Sequence, residues 1–196
     1  DISRFEKFHS ETKFITERVT ESLGDLYAMH WPYKQHKSSR NIKLLPFHDD
    51  LKIKGACFGQ VAGFERPMWY ALNGKKPEYE YSYGYQNWYD AAKYETINTR
   101  KNVGLFDLSA FAKFEIKGVS AFSDLQRLCC NDIKNNPGHT TYTQMLNSNG
   151  GIVADLTVTC IDKDSFRIVT GSSVREHDKK HISENLSKNT TLIDIT

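Results

Sequence analysis

The 196-residue sequence is poor in the features that mark membrane, secreted and nucleic-acid-binding proteins. No apolar run approaches the roughly 18 residues that a membrane-spanning helix needs. The opening residues, DISRFEKFHS, carry charges and lack an apolar stretch, so no secretory signal peptide is predicted there. Neither sign of charge dominates, because 26 basic and 24 acidic side chains leave a net charge of +2. We therefore expect neither a nucleic-acid nor a membrane-surface partner.

Several motifs of nucleotide and hydrolase sites are also missing. No GxGxxG fingerprint, no GxxxxGK[ST] phosphate loop, no GxSxG elbow and no HExxH zinc motif is present. The sequence therefore shows no recognisable dinucleotide or nucleotide-phosphate site. Cysteine is scarce as well: four cysteines without a CxxC pair predict reduced, buried thiols in an intracellular protein.

Composition and pattern instead predict a globular chain of one large or two small domains. Hydrophobic residues make up 39% and aromatic residues 12% of the sequence, which is typical of a chain with a packed core. Helices are predicted over residues 10–26 and 87–102, and short strands over residues 56–72. The next segment, NGKKPEYEYSYGY, is rich in turn formers and tyrosines. We place a boundary here and expect domains at residues 1–72 and 73–196.

The second half of the chain predicts strands and helices in the order β-α-β-β-β-α. The run FAKFEIK alternates apolar and charged residues as a strand does, and a helix follows it. The runs TTYTQML and GIVADLTVTCI flank a double glycine as in a β-hairpin, and DSFRIVTG adds a third strand. Ser173 and Glu176 have capping-box spacing, which predicts the start of the last helix. The predicted fold class is therefore α+β, an antiparallel sheet with packed helices.

Asp155 interrupts an otherwise strand-like run in the second arm of this hairpin. Side chains alternate along a strand, so Asp155 lies opposite the apolar face that contains Ala154 and Leu156. On composition alone, a solvent-facing carboxylate is the favoured interpretation. The alternative is a carboxylate that holds a cationic substrate or accepts a proton from an amine. Tyr142, on the other arm, is on the same grounds favoured as an aromatic packing partner.

Two further patterns have features of ligand sites. His177 and His181 have the i, i+4 spacing of metal ligands, but no third ligand lies near them in the sequence. We therefore predict no metal site there. Basic residues after the first helix alternate with polar ones, which favours an exposed loop over an anion site. These basic residues are Lys34, Lys37, Arg40 and Lys43.

Several separated segments resemble one family in order and spacing. Residues 47–70, FHDDLKIKGACFGQVAGFERPMWY, resemble the segment that follows the flavin domain in dimethylglycine and sarcosine dehydrogenases. The segments NVGLFDLSAFAKFEIKG (102–118), LQRLCCNDI (125–133) and YTQMLNSNGGIVADLTV (142–158) resemble the start of their folate-binding aminomethyltransferase domain. That domain is shared with the glycine cleavage T-protein. The resemblance implies that residues 1–72 are the tail of an FAD-dependent oxidoreductase part with its connector, and that residues 73–196 are the incomplete amino-terminal part of the folate-binding domain.

In this family the flavin part oxidises an N-methyl amine, and the folate part passes the one-carbon unit to tetrahydrofolate, giving 5,10-methylenetetrahydrofolate. The resemblance implies that Asp155 is the catalytic aspartate beside the reacting folate nitrogen. It implies that Tyr142 and Phe111 are folate-pocket residues, and that Val169 and Gly171 lie beside the pterin. A carboxylate fixed on a strand can orient an amine and accept its proton. With the resemblance, the catalytic interpretation of Asp155 becomes the favoured one.

The family's flavin fingerprint and the later part of its folate domain are absent from these residues. We therefore expect a central fragment, inactive alone, whose parent binds FAD and tetrahydrofolate and acts on a small N-methyl amine. The expected location is the cytoplasm, or the mitochondrial matrix in a eukaryote, and the expected partner is the rest of the parent polypeptide. Two alternatives stay open: a non-catalytic regulatory paralogue, such as the pyruvate dehydrogenase phosphatase regulatory subunit, and a stand-alone aminomethyltransferase.

Overall fold

The chain divides into two compact units, Asp1–Ser109 and Ala110–Thr196, of which the computed structural model describes residues 7–196. The predicted domain boundary at residues 72 and 73 lies inside the first unit, and the assignment of the two domains stays a prediction. Within the described residues, no helix combines the length and the hydrophobicity needed to cross a membrane.

The described part of the first unit contains helices and a two-stranded sheet. The helices are α1 (Thr12–Gly24), α2 (His48–Ile53) and α3 (Tyr89–Lys101). Strands β1 (Ala56–Val61) and β2 (Phe64–Tyr70) pair antiparallel through a two-residue turn, in which Ala62 and Gly63 both have positive φ. Positive φ at both positions is typical of a type I′ hairpin turn. The helices and strands predicted in this half are confirmed to within about two residues at most ends.

The first unit also holds a buried ion pair. The side chain of Glu65 on β2 is fully buried, and Nε of Arg40 donates to its Oε1 at 2.8 Å. The backbone N–H of Asn41 and Nε2 of Gln60 donate to the same oxygen at 2.8 and 3.2 Å. Burial raises the pKa of Glu65, but the hydrogen bonds, led by those from Arg40, outweigh it and hold the pKa below its ordinary value. Arg40 is therefore a structural residue, although its sequence context predicted an exposed basic loop.

The second unit is a two-layer domain with one antiparallel sheet. The strands are β3 (Ala112–Lys117), β4 (Thr140–Leu146), β5 (Ile152–Asp162), β6 (Ser165–Thr170) and β7 (Thr191–Asp194). Their spatial order is β4-β5-β6-β3-β7, and every neighbouring pair is antiparallel. Helices α4 (Ala121–Leu128) and α5 (Arg175–Asn185) pack against one face. The predicted α+β class, an antiparallel sheet with packed helices, is confirmed.

The helix-covered face of this sheet forms the core. Alternate residues of β3, β5 and β6 are buried there against Leu125 of α4 and Ile182 of α5; they are Ala112, Phe114, Ile116, Ala154, Leu156, Val158, Cys160, Phe166 and Ile168. The apolar face predicted for β5 is confirmed except at Ile152, which begins the strand and is 70% exposed. Each large side chain buried in this way contributes about 1.5–3 kcal/mol. Because side chains alternate, burying this set directs Asp155 to the opposite face.

Three local details differ from the sequence predictions. Strand β7 was not predicted; it is four residues long and adds to β3 at the edge of the sheet. The prediction of a capping box at Ser173 and Glu176 is wrong. Ser173 lies inside a 3-10 turn (Ser172–Val174), and α5 begins at Arg175 without a side-chain cap. The prediction of buried thiols is wrong for Cys130, whose side chain is exposed while the other three cysteines are buried.

Candidate functional site

The hairpin of β4 and β5 presents its acidic residue on the uncovered face of the sheet. Its loop consists of residues 147–151, where Oδ1 of Asn147 accepts two backbone N–H groups at 2.9 Å each. Gly150 has a φ of +79°, a left-handed conformation that glycine adopts without steric cost. This loop and a β-bulge between Met145 and Leu146 together set the register in which Gln144 lies directly opposite Asp155.

Both carboxylate oxygens of Asp155 accept a hydrogen bond from β4. The hydroxyl of Tyr142 donates to Oδ2 at 2.9 Å, and Nε2 of Gln144 donates to Oδ1 at 3.0 Å. Gln144 is the direct cross-strand partner, whereas Tyr142 reaches the acid diagonally from the next position on the same face. A carboxylate offers about four acceptor positions, so two donors leave lone pairs available to a ligand N–H.

The contact also changes the acidity of the tyrosine. The hydrogen bond to Asp155 raises the pKa of Tyr142 above its ordinary value of 10.0, and burial and the carboxylate charge act in the same direction. The phenol therefore stays protonated at neutral pH and remains a donor. Tyr142 as a whole residue is 59% exposed, so it is accessible to a ligand that lies on this face.

The outer edge of β4 is held by the residues that follow α4. The backbone N–H of Cys130 donates to the carbonyl of Gln144 at 2.9 Å. Nδ2 of Asn131 donates to the carbonyl of Tyr142 at 2.7 Å. Both residues that bind Asp155 are thus held through their own main-chain carbonyls, on the side of β4 that faces away from β5.

The other predicted site residues lie on strand β6 or just outside strands β6 and β3. Val169 of β6 pairs with Thr157 of β5, which is two residues from Asp155 on the same strand. Val169 therefore lies on the same face of the sheet as Asp155 and Tyr142. Gly171 follows the last residue of β6 and Phe111 precedes the first residue of β3, next to the pair Ala112 and Thr170. Of these predicted residues, Tyr142 is the one that a described hydrogen bond joins to the acid.

Asp155 is exposed, as the solvent-facing interpretation expects. Its two side-chain donors nevertheless hold the carboxylate in one orientation, which solvation alone does not require. A carboxylate held in this way can accept a proton from a ligand nitrogen and stabilise a developing positive charge. The geometry permits the catalytic interpretation of Asp155, which stays a proposal.

The other candidate ligands from the sequence make contacts of their own. Nδ1 of His177 lies 2.9 Å from Oδ1 of Asp178, whose carboxylate is buried. Among residues 7–196, the acidic and histidine side chains close enough together to share a metal ion are Glu21, Asp25 and His36. Glu21 in this group already accepts backbone N–H groups from residues 37 and 38 at 2.7 and 2.8 Å.

Gln144 and Asn131 were not predicted from the sequence. Alternation along β4 places Gln144 on the same face as Tyr142, so part of the signal was available. Its pairing with Asp155 depends on the length of the hairpin loop, which a double glycine does not specify. Asn131 reaches β4 from a separate loop, and no local pattern indicates that contact.

The fold and the sequence match known families. Residues 47–196 match the GCVT N-terminal domain, and residues 1–44 match the FAD dependent oxidoreductase central domain. The glycine cleavage system aminomethyltransferase T from Bartonella henselae has the same fold, with a TM-score of 0.64. It is 24% identical in sequence, and the match covers 78% of this chain and 38% of that one.

Three curated relatives cover most or all of the chain. The 4-methylaminobutanoate oxidase (formaldehyde-forming) of Paenarthrobacter nicotinovorans is 42% identical over 90% of this chain and 21% of its own length. Human mitochondrial sarcosine dehydrogenase is 30% identical over 93% of the chain and 24% of its own length. The mouse mitochondrial pyruvate dehydrogenase phosphatase regulatory subunit is 30% identical over 100% of the chain and 23% of its own length.

The chain therefore spans between a fifth and a quarter of the length of these relatives. The resemblance to the sarcosine and dimethylglycine dehydrogenase family, inferred from the motifs, is confirmed. Because the family match extends over residues 47–196, the chain belongs to the GCVT N-terminal domain family.

Proposed function

We propose that this chain is the central part of a folate-linked amine demethylase, in which the second unit binds tetrahydrofolate and passes to it a one-carbon unit from a small N-methyl amine. Two relatives are named as a 4-methylaminobutanoate oxidase and a sarcosine dehydrogenase, which supports this substrate class. The parent protein would be an FAD-dependent oxidoreductase and aminomethyltransferase. It would act in the cytoplasm or, in a eukaryote, in the mitochondrial matrix.

The observation that carries the proposal is the pair of hydrogen bonds that fixes the carboxylate of Asp155. Tyr142 and Gln144 each occupy one carboxylate oxygen, at 2.9 and 3.0 Å, and the remaining lone pairs are on the exposed face of the sheet. Val169 supplies apolar surface on that face, on which a fused aromatic ring can lie. These residues therefore fit a ligand that has both a flat ring and an N–H group.

In the proposed reaction the folate supplies the secondary amine that accepts the one-carbon unit. The N–H of that amine donates to a free lone pair of Asp155, which orients the nitrogen toward the incoming carbon. As this nitrogen attacks the iminium carbon that amine oxidation supplies, the C=N π pair would move to the substrate nitrogen, and the folate nitrogen would pass its proton to the carboxylate. The second folate nitrogen would then form its own C–N bond to that carbon, while the bond from the carbon to the substrate nitrogen breaks and the demethylated amine leaves with the second proton. Tyr142 and Gln144 keep the carboxylate in place and retain their own protons.

The first unit supports a narrower statement about the flavin. Residues 1–44 match the FAD dependent oxidoreductase central domain, yet no glycine-rich dinucleotide fingerprint occurs in the sequence. We assign no residue of this chain to FAD. Amine oxidation is assigned to the rest of the parent polypeptide, which is the proposed partner of this segment.

The test uses the full-length parent protein with 4-methylaminobutanoate, sarcosine and dimethylglycine in turn. Each amine is supplied with and without tetrahydrofolate, and both formaldehyde and 5,10-methylenetetrahydrofolate are quantified. We expect at least one amine to yield formaldehyde without folate and methylenetetrahydrofolate with it. Formation of formaldehyde alone in both conditions would remove the transferase function.

The same experiment separates the regulatory alternative. The similarity of the mouse regulatory subunit over the whole chain is the observation that favours this alternative. A parent protein that shows no flavin absorbance and oxidises none of the three amines would support the regulatory alternative. A yellow protein with amine turnover supports the demethylase.

A further inference from the structure

We propose that Gln144 is a positioning residue that acts through Asp155, by fixing the plane of the carboxylate that faces the folate. The inference rests on the proposed function and adds a residue that neither the motifs nor the relatives assign. The juxtaposition that carries it is the Nε2–Oδ1 hydrogen bond of 3.0 Å between direct cross-strand partners.

The backbone places these partners at the shorter of the two cross-strand separations that alternate along an antiparallel pair. The carbonyl of Gln144 accepts the N–H of Cys130, on the edge of β4 that faces away from β5. The Gln144–Asp155 pair is therefore a non-hydrogen-bonded pair of the antiparallel ladder. In such pairs the Cα atoms are about 4.5 Å apart, against about 5.5 Å in hydrogen-bonded pairs. At this separation the amide of Gln144 reaches the carboxylate directly across the strands.

Two donors do what one donor cannot. A single hydrogen bond from Tyr142 to Oδ2 leaves the carboxylate free to pivot about that contact. The second bond, from Gln144 to Oδ1, stops the pivot because any rotation about the Cβ–Cγ bond breaks both contacts. The directions of the remaining lone pairs are then fixed, and so is the direction from which a nitrogen can donate its proton.

The donors are themselves held from the opposite edge of β4. Asn131 binds the carbonyl of Tyr142 at 2.7 Å, and Cys130 binds that of Gln144 at 2.9 Å. β4 is the end strand of the five, and an edge strand without such contacts is paired on one side only. The contacts from Asn131 and Cys130 to the carbonyls of β4 therefore help to hold the two side chains that bind the acid.

The test is a double-mutant cycle in the full-length parent protein. Gln144→Met keeps the length of the side chain and removes the donor, and Asp155→Asn removes the carboxylate. We expect Gln144→Met to lower the kcat of methylenetetrahydrofolate formation roughly tenfold and to leave the KM for tetrahydrofolate within about twofold, because it misplaces a reacting group and removes no ligand contact. In the Asp155→Asn background, Gln144→Met should cause no further loss.

Two variants serve as controls. Gln144→Asn keeps the amide but is one methylene too short to reach the acid, so it should lower kcat about as much as a folded Gln144→Met does. If Gln144→Met fails to fold, Gln144→Asn takes its place in the cycle. Thr140→Val removes a hydroxyl at the far end of the same strand, where it bonds to Thr159 at 2.9 Å. It should leave methylene transfer unchanged.

The outcomes are distinct. Wild-type transfer by both Gln144 variants, together with impaired Asp155→Asn, overturns the positioning role and leaves the proposed function standing. An equal loss from Gln144→Met with and without the carboxylate also overturns it, since Gln144 would then act independently of Asp155. Normal transfer by Asp155→Asn removes Asp155 from the mechanism, and with it the positioning role of Gln144, but leaves the transferase function standing. Absence of methylenetetrahydrofolate from the unsubstituted parent protein defeats the proposed function.

Discussion

Tyr142 donates its phenolic proton to Oδ2 of Asp155 across 2.9 Å, and this bond joins the two arms of the hairpin on the exposed face of the sheet. The carboxylate in turn raises the pKa of the phenol, first through the hydrogen bond and then through its charge. The pKa of Tyr142 therefore reveals whether the contact with Asp155 is formed, even when no ligand is present.

We predict that Asp155→Ala lowers the pKa of Tyr142 toward its ordinary value of 10.0. The raised pKa stabilises the folded state below pH 10, and this contribution is lost as the pH rises through the higher folded value. NMR of isotope-labelled tyrosine rings at increasing pH measures the change. Tyr85 is the internal control, because its raised pKa is caused by burial and Asp90 and should not respond. An unchanged titration of Tyr142 would show that the contact does not persist in solution.

A second prediction concerns the turn between β3 and α4. Gly118 has a φ of +141°, and a Cβ there would lie 2.0 Å from the carbonyl oxygen of Asn189. Gly118→Ala should lower the free energy of unfolding by more than about 3 kcal/mol, because strained backbone and steric overlap add together. Gly138→Ala is the matched control: its φ is +84° but the space around it is open, so about 1 kcal/mol is expected.

Urea unfolding followed by circular dichroism gives the two free energies. Hydrogen exchange of the β3 and β7 amides shows whether the loss is located in the second unit. Equal effects of the two alanines would mean that the loop around Asn189 relaxes away from Gly118.

A third prediction concerns acid stability of the first unit. Glu65 has a lowered pKa in the folded state, so it contributes stability above about pH 4.5 that is lost as the pH falls through the lower folded value. Arg40→Met leaves this buried carboxylate without its cation and should cost about 3 kcal/mol at pH 7. The cost should shrink in acid, because protonated Glu65 no longer needs the cation.

Tryptophan fluorescence during urea unfolding follows this unit, since Trp31, Trp69 and Trp88 all lie in it. The double variant Arg40→Met with Glu65→Leu is the control and should recover most of the loss, because no buried charge is left. A loss from Arg40→Met that is equally large at pH 7 and pH 3 would contradict the account.

The face that carries Asp155 was predictable, but its partner was not. A two-residue turn at Gly150 and Gly151 would pair residue 149 with 152 and set Leu146 opposite Asp155. The five-residue loop fastened by Asn147 pairs Leu146 with Ile152, and a β-bulge between Met145 and Leu146 then sets Gln144 opposite Asp155, a net shift of two residues. A shift of two keeps every side chain on its face, so Asp155 still lies opposite the core.

Helical spacing likewise predicted α1 without predicting what it packs against. Its stripe residues Ile15, Val19 and Leu23 are 43%, 48% and 60% exposed. The helical spacing of apolar residues indicates that one side of the helix is apolar. Whether that side is buried depends on parts of the protein that are distant in sequence. The same limit explains why β7 was missed, since its pairing with β3 joins residues about 80 positions apart.

The most direct test of the central claim is single-turnover transfer of the one-carbon unit to tetrahydrofolate in the full-length parent protein, with and without Asp155→Asn. We predict that the variant oxidises the amine at the wild-type rate, binds tetrahydrofolate within about threefold of wild type, and transfers the carbon about 100-fold more slowly, as expected when a general base is removed. Transfer by Asp155→Asn at the wild-type rate would contradict the account.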